Sequence, residues 1–204
     1  MTGRHFWRSQ LRAGGGIDEH TLYFTGPQFV FTGDIEDAWP VCATETETCR
    51  PYTFDPKTGA LTIDGVAASL EGDKLKLNDR THWELGRAAA GARWDIVLTY
   101  ANSSGICPLY CYARTEHLRF QPDGNFVRSS VSSASGPVDW ISVPDDSKGA
   151  YEVRADGTLR LAFADGTERI RTLGIYPADG PTPYPANPTA GVVLGSSGYF
   201  DIRD

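Results

Sequence analysis

Apolar and polar side chains alternate with a period of two residues along much of the chain. The alternation is clearest over residues 94–100 and 159–163, with shorter examples at 118–120 and 151–153. A period of two places successive side chains on opposite faces of a strand, so one face of each stretch is predicted to be buried. The residues assigned to the interior face in the second half of the chain are Phe120, Phe126, Tyr151, Leu159, Leu161 and Phe163.

Tight turns are predicted between these stretches. Asp-Gly steps occur at 64–65, 123–124, 156–157 and 165–166. Glycine adopts a positive φ without steric cost, as two-residue hairpin turns require. A calcium-binding loop would need several more oxygen ligands and a closing Glu, which none of these steps supplies. The pattern therefore predicts an all-β protein made of antiparallel meanders.

The second half of the chain repeats the pattern of the first half. In both, a strand ending in Phe is followed by a turn, a strand opened by Phe, a variable link, a strand containing Tyr and a strand with alternating Leu or Ile. An internal repeat indicates an architecture built from copies of one unit. We predict two tandem, related antiparallel meander modules forming barrel-like or packed sheets; one large closed β-barrel with a pseudo-two-fold repeat is the alternative. The matched residues are Leu22 with Leu118, Phe24 with Phe120, Phe29 with Phe126, Tyr52 with Tyr151, Leu61 with Leu159, and Ile63 with Leu161.

The predicted boundary between the two copies is the stretch of small residues at 86–91. It separates a first β module at residues 1–86 from a second β module at residues 92–177. Residues 178–204 begin with a Pro-rich connector, which the interior of a sheet would not accommodate, and end in a predicted closing strand pair. This strand pair has no evident counterpart in the first copy.

Turn and core positions of the second copy form one run from Leu118 to Leu161. Its members are Leu118, Phe120, Asp123, Gly124, Phe126, Trp140, Gly149, Tyr151, Val153, Asp156, Gly157, Leu159 and Leu161. The run is similar to that of bacterial lipocalin-like (calycin-type) β-barrel domains, over residues 93–175 and more weakly over 11–85. This resemblance implies a barrel or curled sheet whose interior can hold an apolar ligand, and it implies no catalytic residues.

Motifs of the common catalytic classes do not occur in the sequence. It contains no Gly-x-Ser-x-Gly elbow, no phosphate-binding Gly loop, no paired-His zinc helix and no dinucleotide fingerprint. We therefore predict no catalytic residue, no cofactor and no metal site. Candidate ligand-binding residues are Trp94, Tyr100, His117 and Trp140, which would line the lumen of an open, under-filled barrel. Packing in a closed core is the alternative for the aromatic members of this set.

The net charge of −7 is spread over both halves of the chain. This balance would repel a phosphate backbone, so nucleic acid is not a predicted partner. Residues 34–47 carry five carboxylates and no Lys or Arg. A solvated loop is the favoured interpretation, with a site for a cation or a basic partner as the alternative. No apolar stretch approaches the ~18–20 residues of a spanning helix, so no membrane span is predicted.

Four cysteines occur as two close pairs, Cys42 with Cys49 and Cys107 with Cys111. An even number in loop-like sequence favours disulfides within each pair and hence an oxidising compartment. Free thiols and a zinc site are the alternatives, although the C-x2-C spacing of zinc ribbons is missing. We expect a secreted or extracytoplasmic protein whose signal peptide is absent from this sequence; a cytoplasmic protein is the alternative.

Three functional classes are compatible with these features. The favoured hypothesis is a non-catalytic binding or protein-interaction module, whose partner is a protein or a small apolar ligand. One alternative is an enzyme of the barrel type that acts on an apolar small molecule, because such enzymes leave few motifs. The other is a structural or assembly protein, and the sequence does not determine the oligomeric state.

Overall fold

A computed structural model describes residues 1–12, 16–106, 110–132, 144–177 and 190–201. Within these ranges the chain forms sixteen β-strands and one short 3-10 helix, Asp145–Ser147. Each strand pairs antiparallel with its neighbours. The prediction of an all-β protein built from antiparallel meanders is confirmed.

The first eight strands form a closed barrel. Each strand pairs with the next one along the chain, and the eighth pairs back with the first. The strands are β1 (His5–Leu11), β2 (Ile17–Phe24), β3 (Phe29–Phe31), β4 (Cys49–Phe54), β5 (Leu61–Ile63), β6 (Val66–Glu71), β7 (Lys74–Leu77) and β8 (Arg80–Glu84). The buried core of this barrel consists of Phe6, Leu22, Phe24, Val30, Tyr52, Leu61, Ile63 and Leu75.

The last eight strands form a second closed barrel with the same order. They are β9 (Ile96–Ile106), β10 (Tyr110–Phe120), β11 (Asn125–Ser132), β12 (Lys148–Val153), β13 (Thr158–Phe163), β14 (Glu168–Ile175), β15 (Gly191–Leu194) and β16 (Ser197–Phe200). All six residues predicted to face the interior of the second half are buried in its core. Two tandem barrels are therefore confirmed. The alternative of one large barrel is wrong, because each set of eight strands closes on itself.

Matched residues of the repeat occupy strands of the same rank in the two barrels. Leu22 and Phe24 lie on β2 and their counterparts on β10, while Tyr52 lies on β4 and Tyr151 on β12. The closing pair β15–β16 corresponds by rank to β7–β8, so the expectation that it has no counterpart in the first copy is wrong. The inward-facing residues of β7 and β15 are aliphatic in both barrels, whereas His82 on β8 corresponds to Tyr199 on β16.

The predicted Asp-Gly turns have the expected backbone conformation. Gly65, Gly124, Gly157 and Gly166 all have positive φ, between 75° and 92°. Each follows or precedes a strand end in an antiparallel hairpin. Each of these turns connects two consecutive strands, as the sequence predicted.

The core of each barrel contains an equivalent pair of aromatic side chains. The Tyr52 ring contacts Phe24 edge to face with 4.8 Å between ring centroids, and Tyr151 contacts Phe120 in the same way at 4.9 Å. The Tyr52 hydroxyl donates to the carbonyl oxygen two residues after Phe24, at 2.7 Å. The Tyr151 hydroxyl donates to the carbonyl oxygen directly after Phe120, at 3.1 Å. In each module a tyrosine therefore ties the fourth strand to the turn between the second and third.

The two barrels pack against each other through an apolar cluster on their outer faces. Trp7, on the outward face of β1, is 1% exposed and packs with Leu85 and Val193. Its indole Nε1 donates to the carbonyl oxygen of Ser196 at 3.0 Å. Gly198 lies so close that a Cβ atom added there would be 2.6 Å from the Trp7 ring. A glycine at this position therefore allows the β16 backbone to approach the indole.

The β3–β4 loop, residues 32–48, extends from the first barrel to the second. Ile35 in this loop is buried. The carboxylates of Glu36 and Asp37 form ion pairs with Arg171 on β14. The first carboxylates of the acidic stretch are exposed, as expected for a solvated loop, and those of Glu36 and Asp37 also pair with the second barrel.

A disulfide bond joins Cys42 of this loop to Cys49, the first residue of β4, as predicted for the first cysteine pair. Disulfides are typical of proteins from oxidising compartments. Cys107 lies outside the described residues, and so does the side chain of Cys111. A disulfide between them stays a prediction.

Candidate functional site

The interior of the second barrel changes from apolar to polar towards one end. Beyond the paired core residues Leu98 and Leu118, the next inward-facing pair in the β9–β10 register is Tyr100 with Glu116. On the other side of β9, the register with β16 places Tyr199 opposite Tyr100. Three neighbouring strands therefore form the polar layer of the second barrel, which consists of Tyr100, Glu116 and Tyr199.

A buried carboxylate holds this layer together. Glu116 is 7% exposed and accepts a hydrogen bond from the Tyr199 hydroxyl at 2.9 Å and another from Nη2 of Arg128 at 2.9 Å. The Tyr199 ring lies 5.4 Å from the ring of Tyr100, between centroids. Burial, followed by the nearby Glu116 carboxylate, raises the pKa of Tyr199 well above its usual value. The Tyr199 hydroxyl therefore stays protonated and acts as a donor at neutral pH.

A cavity of about 250 Å³, partly open to solvent, lies against the polar layer. Its apolar lining residues are Leu118, Leu161, Phe163 and Leu194. Its charged lining residues are Glu36, Glu116, Arg128, Arg169 and Arg171. A second cleft of about 440 Å³ shares Arg128, Phe163 and Arg169 with it, so both lie at the same end of the barrel.

The three arginines of the cavity differ in their partners. Arg128 pairs with Glu116 inside the barrel. Arg171 pairs with carboxylates of the β3–β4 loop, so the first barrel supplies part of the rim. Arg169 forms no ion pair within the described part of the chain, and its guanidinium lies 5.5 Å from the centroid of the Phe163 ring. The cavity therefore combines an apolar wall with one arginine that has no carboxylate partner there.

The first barrel has its own polar layer, formed by Arg8, His20 and His82. Nδ1 of His20 lies 3.1 Å from Nε2 of His82, so one imidazole donates a hydrogen bond to the other. Nη2 of Arg8 donates to Asp18 at 3.3 Å. Burial, and then the neighbouring His20 and Arg8, lowers the pKa of His82 to about 3. Burial, and then Arg8, also lowers the pKa of His20. Both imidazoles are therefore neutral at neutral pH.

The two polar layers occupy equivalent positions of the repeat. Aligning Leu22 with Leu118 and following the registers of the neighbouring strands relates each member of one layer to a member of the other. The equivalent pairs are Arg8 and Tyr100, His20 and Glu116, and His82 and Tyr199. In both barrels the residue on the second strand hydrogen-bonds to the residue on the eighth strand. The side chains of the two barrels differ chemically, but each barrel has a hydrogen bond between its second and eighth strands at this position.

Of the residues in these two polar layers, sequence reasoning selected only Tyr100 as a candidate ligand-binding residue. His20 and Glu116 stand in phase with the inward-facing leucines two positions later, and a polar residue at such a position was the signal that could have marked them. Their partners His82 and Tyr199 are 62 and 83 residues away in sequence. No local pattern relates positions so far apart.

The residues predicted to bind a ligand do not form one site. Trp94 is fully buried in the core of the second barrel, where it stacks on Tyr151. Tyr100 lines the cavity. His117 lies on the opposite face of β10, with its Nδ1 2.9 Å from a threonine hydroxyl of β9. Trp140 lies outside the described residues.

Across the described ranges, no three His, Cys, Asp or Glu side chains are grouped as they would be around a metal ion. No helix in that part of the chain has the length and apolar character needed to cross a membrane. No protein-family model, curated protein or solved structure matches the chain. The closed antiparallel barrels are compatible with a calycin-like fold.

Proposed function

We propose that this protein is a non-catalytic binding protein of lipocalin-like architecture whose second barrel receives a small molecule. The observation that carries the proposal is the cavity of about 250 Å³ in which an apolar wall meets a polar layer. Small-molecule sites are typically concave and apolar, with a few polar groups that orient the ligand. This cavity is concave, and its lining combines four apolar side chains with the polar layer and charged groups.

The volume of the cavity limits the size of the ligand. It corresponds to roughly eight water molecules at about 30 Å³ each. Pockets for drug-sized ligands are larger, at about 300–1,000 Å³. The ligand that fits is therefore a single small ring or a short branched chain, and a longer molecule would extend into the adjoining cleft.

The polar layer supports binding rather than proton transfer. Both oxygens of Glu116 accept hydrogen bonds from neighbouring side chains. The pKa of Tyr199 is raised by burial, so its hydroxyl does not lose a proton near neutral pH. General acid–base catalysis works best when the pKa of the group is near the working pH. These two groups are suited to orienting a bound molecule.

We also propose that the protein works outside the cytoplasm. The disulfide between Cys42 and Cys49 supports this proposal, because cytoplasmic thiols are usually kept reduced. The state of these thiols in protein isolated from its natural source would test it.

A fragment screen by ligand-observed NMR tests the binding proposal. Fragments should bind the wild type and fail to bind Leu161→Trp, whose indole would fill the cavity. Arg160→Trp is the matched control, because Arg160 is the adjacent residue of β13 and lies on its outward face. Thermal unfolding of each variant checks that it folds. Ser197→Phe, which fills the cavity from its rim, serves as a second variant if Leu161→Trp does not fold.

Two results would contradict the proposal. One is a screen in which no fragment binds the wild type. The other is binding of the same fragments, with unchanged affinity, to a folded cavity-filled variant. Chemical conversion of a bound fragment would contradict the non-catalytic part of the proposal alone.

A further inference from the structure

We infer that the ligand of the second-barrel cavity carries an anionic group, a carboxylate or a group of similar charge, that binds to Arg169. This inference rests on the proposed function and adds the chemical class of the ligand. Arg169 lines both the cavity and the adjoining cleft. An anion bound to it would have its apolar part within reach of the cavity wall.

The position of Arg169 follows from the register of the sheet. It pairs with Leu161 across β13 and β14, so it continues the inward-facing row of β14 towards the barrel mouth. Its guanidinium lies over the Phe163 ring, which is part of the apolar wall. An arginine side chain keeps its charge at any physiological pH. A permanent positive charge therefore stands where the apolar wall meets the open end of the barrel.

The carboxylates around the cavity are already engaged with other groups. Glu116 is bonded to Arg128, and Glu36 of the β3–β4 loop to Arg171. No carboxylate of the described residues pairs with Arg169. Arg169 is exposed to solvent, so its hydrogen-bond donors are available for a bound anion.

The two carboxylates that line the adjoining cleft, Asp146 and Asp165, are hydrogen-bonded to residues close to them in sequence. Asp165 accepts hydrogen bonds from the backbone N–H of Thr167 at 2.9 Å and from its hydroxyl at 2.7 Å. Asp146 accepts a hydrogen bond from the Ser147 hydroxyl at 3.0 Å and forms no ion pair with the cavity arginines. Among the described residues, neither carboxylate forms an ion pair with Arg169.

The net charge of the protein opposes non-specific binding of anions. A net charge of −7 repels anions at long range. Non-specific attraction of an anion to the protein surface is therefore unfavourable. Binding of an anion to the cavity would require the local charge of Arg169 and the apolar wall together.

Three probes of nearly the same shape test the inference. Benzoate, benzamide and benzamidine are planar, small enough for the cavity, and carry a negative charge, no charge and a positive charge. In isothermal titration calorimetry at low salt, benzoate should bind about tenfold more tightly than benzamide, and benzamidine should bind most weakly. Arg169→Gln should reduce benzoate affinity by about tenfold and leave benzamide affinity unchanged. Arg160→Gln, which removes an outward-facing arginine from the neighbouring strand, should change neither.

The outcomes separate this inference from the proposed function. The inference would be overturned if benzoate and benzamide bound with equal affinity, or if Arg169→Gln left the affinity for benzoate unchanged. Either result would still show that the cavity binds ligands. It is also possible that other fragments bind and that none of these three probes does. In that case, a majority of neutral or cationic fragments among the binders would overturn the inference of an anionic ligand. If no fragment of any charge binds, the proposed function fails and the inference fails with it.

Discussion

The hydroxyl of Tyr199 donates a hydrogen bond to Oε1 of Glu116 at 2.9 Å, and this contact joins β16 to β10 across the interior of the second barrel. Both residues are buried. Removal of the hydroxyl therefore leaves a largely buried carboxylate with one donor fewer. The contact has a counterpart in the first barrel, where His20 and His82 meet in the same way.

Tyr199→Phe is expected to destabilise the protein by about 1–3 kcal/mol, because a buried carboxylate loses one of its donors. Urea denaturation at neutral pH measures the free energy of unfolding. Tyr23→Phe is the control, since the Tyr23 hydroxyl has no hydrogen-bond partner in the described part of the chain. If Tyr23→Phe lowered the free energy of unfolding as much as Tyr199→Phe, the environment of the ring, and not the hydrogen bond, would explain the loss of stability.

The stability lost when a side chain is truncated to Ala should increase with the burial of that side chain. Phe120→Ala is expected to cost about 3–5 kcal/mol, because Phe120 is fully buried among aromatic rings. Phe163→Ala should cost less, because this ring also borders the cavity. Arg160→Ala should change stability little, because its ion pair with Glu168 is exposed to solvent. Equal, small effects at Phe163 and Arg160 in denaturation curves would mean that the register of β13 is wrong.

Glu19 should make stability depend on pH. Its carboxylate accepts a hydrogen bond from the Gly198 N–H at 2.7 Å, across the contact between the barrels. Burial raises the pKa of Glu19 from 4.5 to about 7; the hydrogen bond from Gly198 opposes this, and Asp34 adds to it. The folded state then binds more protons than the unfolded state between pH 4.5 and about 7. The contribution of Glu19 to stability therefore falls as the pH rises through this window and is level above it.

Glu19→Gln tests this dependence, because glutamine keeps an acceptor for Gly198 but does not titrate. Relative to the wild type, the variant should become more stable as the pH rises from about 5 to about 7 in urea denaturation. Burial lowers the pKa of His5 and His82 to about 3, which makes stability rise with pH between about 3 and 6.5. Both histidines are present in both proteins, so their effect cancels in the difference. A difference that does not change with pH would contradict the raised pKa of Glu19.

Removal of the disulfide should destabilise the first barrel. The bond joins cysteines seven positions apart, and loop-closure entropy for a loop of this size corresponds to about 2–3 kcal/mol. The double variant Cys42→Ser/Cys49→Ser should lose about this much in urea denaturation. Mass analysis after alkylation without reductant should find Cys42 and Cys49 unmodified in the wild type. Four reactive thiols in the native protein would contradict the disulfide and the extracytoplasmic proposal together.

Gly198→Ala should weaken the contact between the barrels. A methyl group there would overlap the Trp7 ring, at 2.6 Å and 2.7 Å from two of its carbons. Overpacking of this kind typically costs about 1–3 kcal/mol. Gly26→Ala is the matched control, because a Cβ atom at Gly26 meets no atom within 4 Å. Thermal and urea unfolding of both variants measure the effect, and an equal loss at Gly26 would argue against steric overlap as its cause.

The sequence by itself determined the strands, their turns and most of the interior. Alternation placed Phe120, Leu159 and Phe163 on one face because successive side chains of a strand point in opposite directions. The repeat predicted two related modules because it needs only a comparison of the chain with itself. Of the cavity lining, Tyr100 was predicted as a ligand-binding residue, since it continues an apolar alternation.

Only the tertiary structure decided how the strands close and which polar groups meet. The choice between one barrel and two depends on whether β8 pairs with β1 and β16 with β9, and no local pattern contains that information. The contact of Glu116 with Tyr199 and the ion pair of Glu36 with Arg171 depend on the same closure and on the docking of a loop from one barrel on the other. Alternation is a property of neighbouring residues, whereas these contacts depend on the register between strands that are distant in sequence.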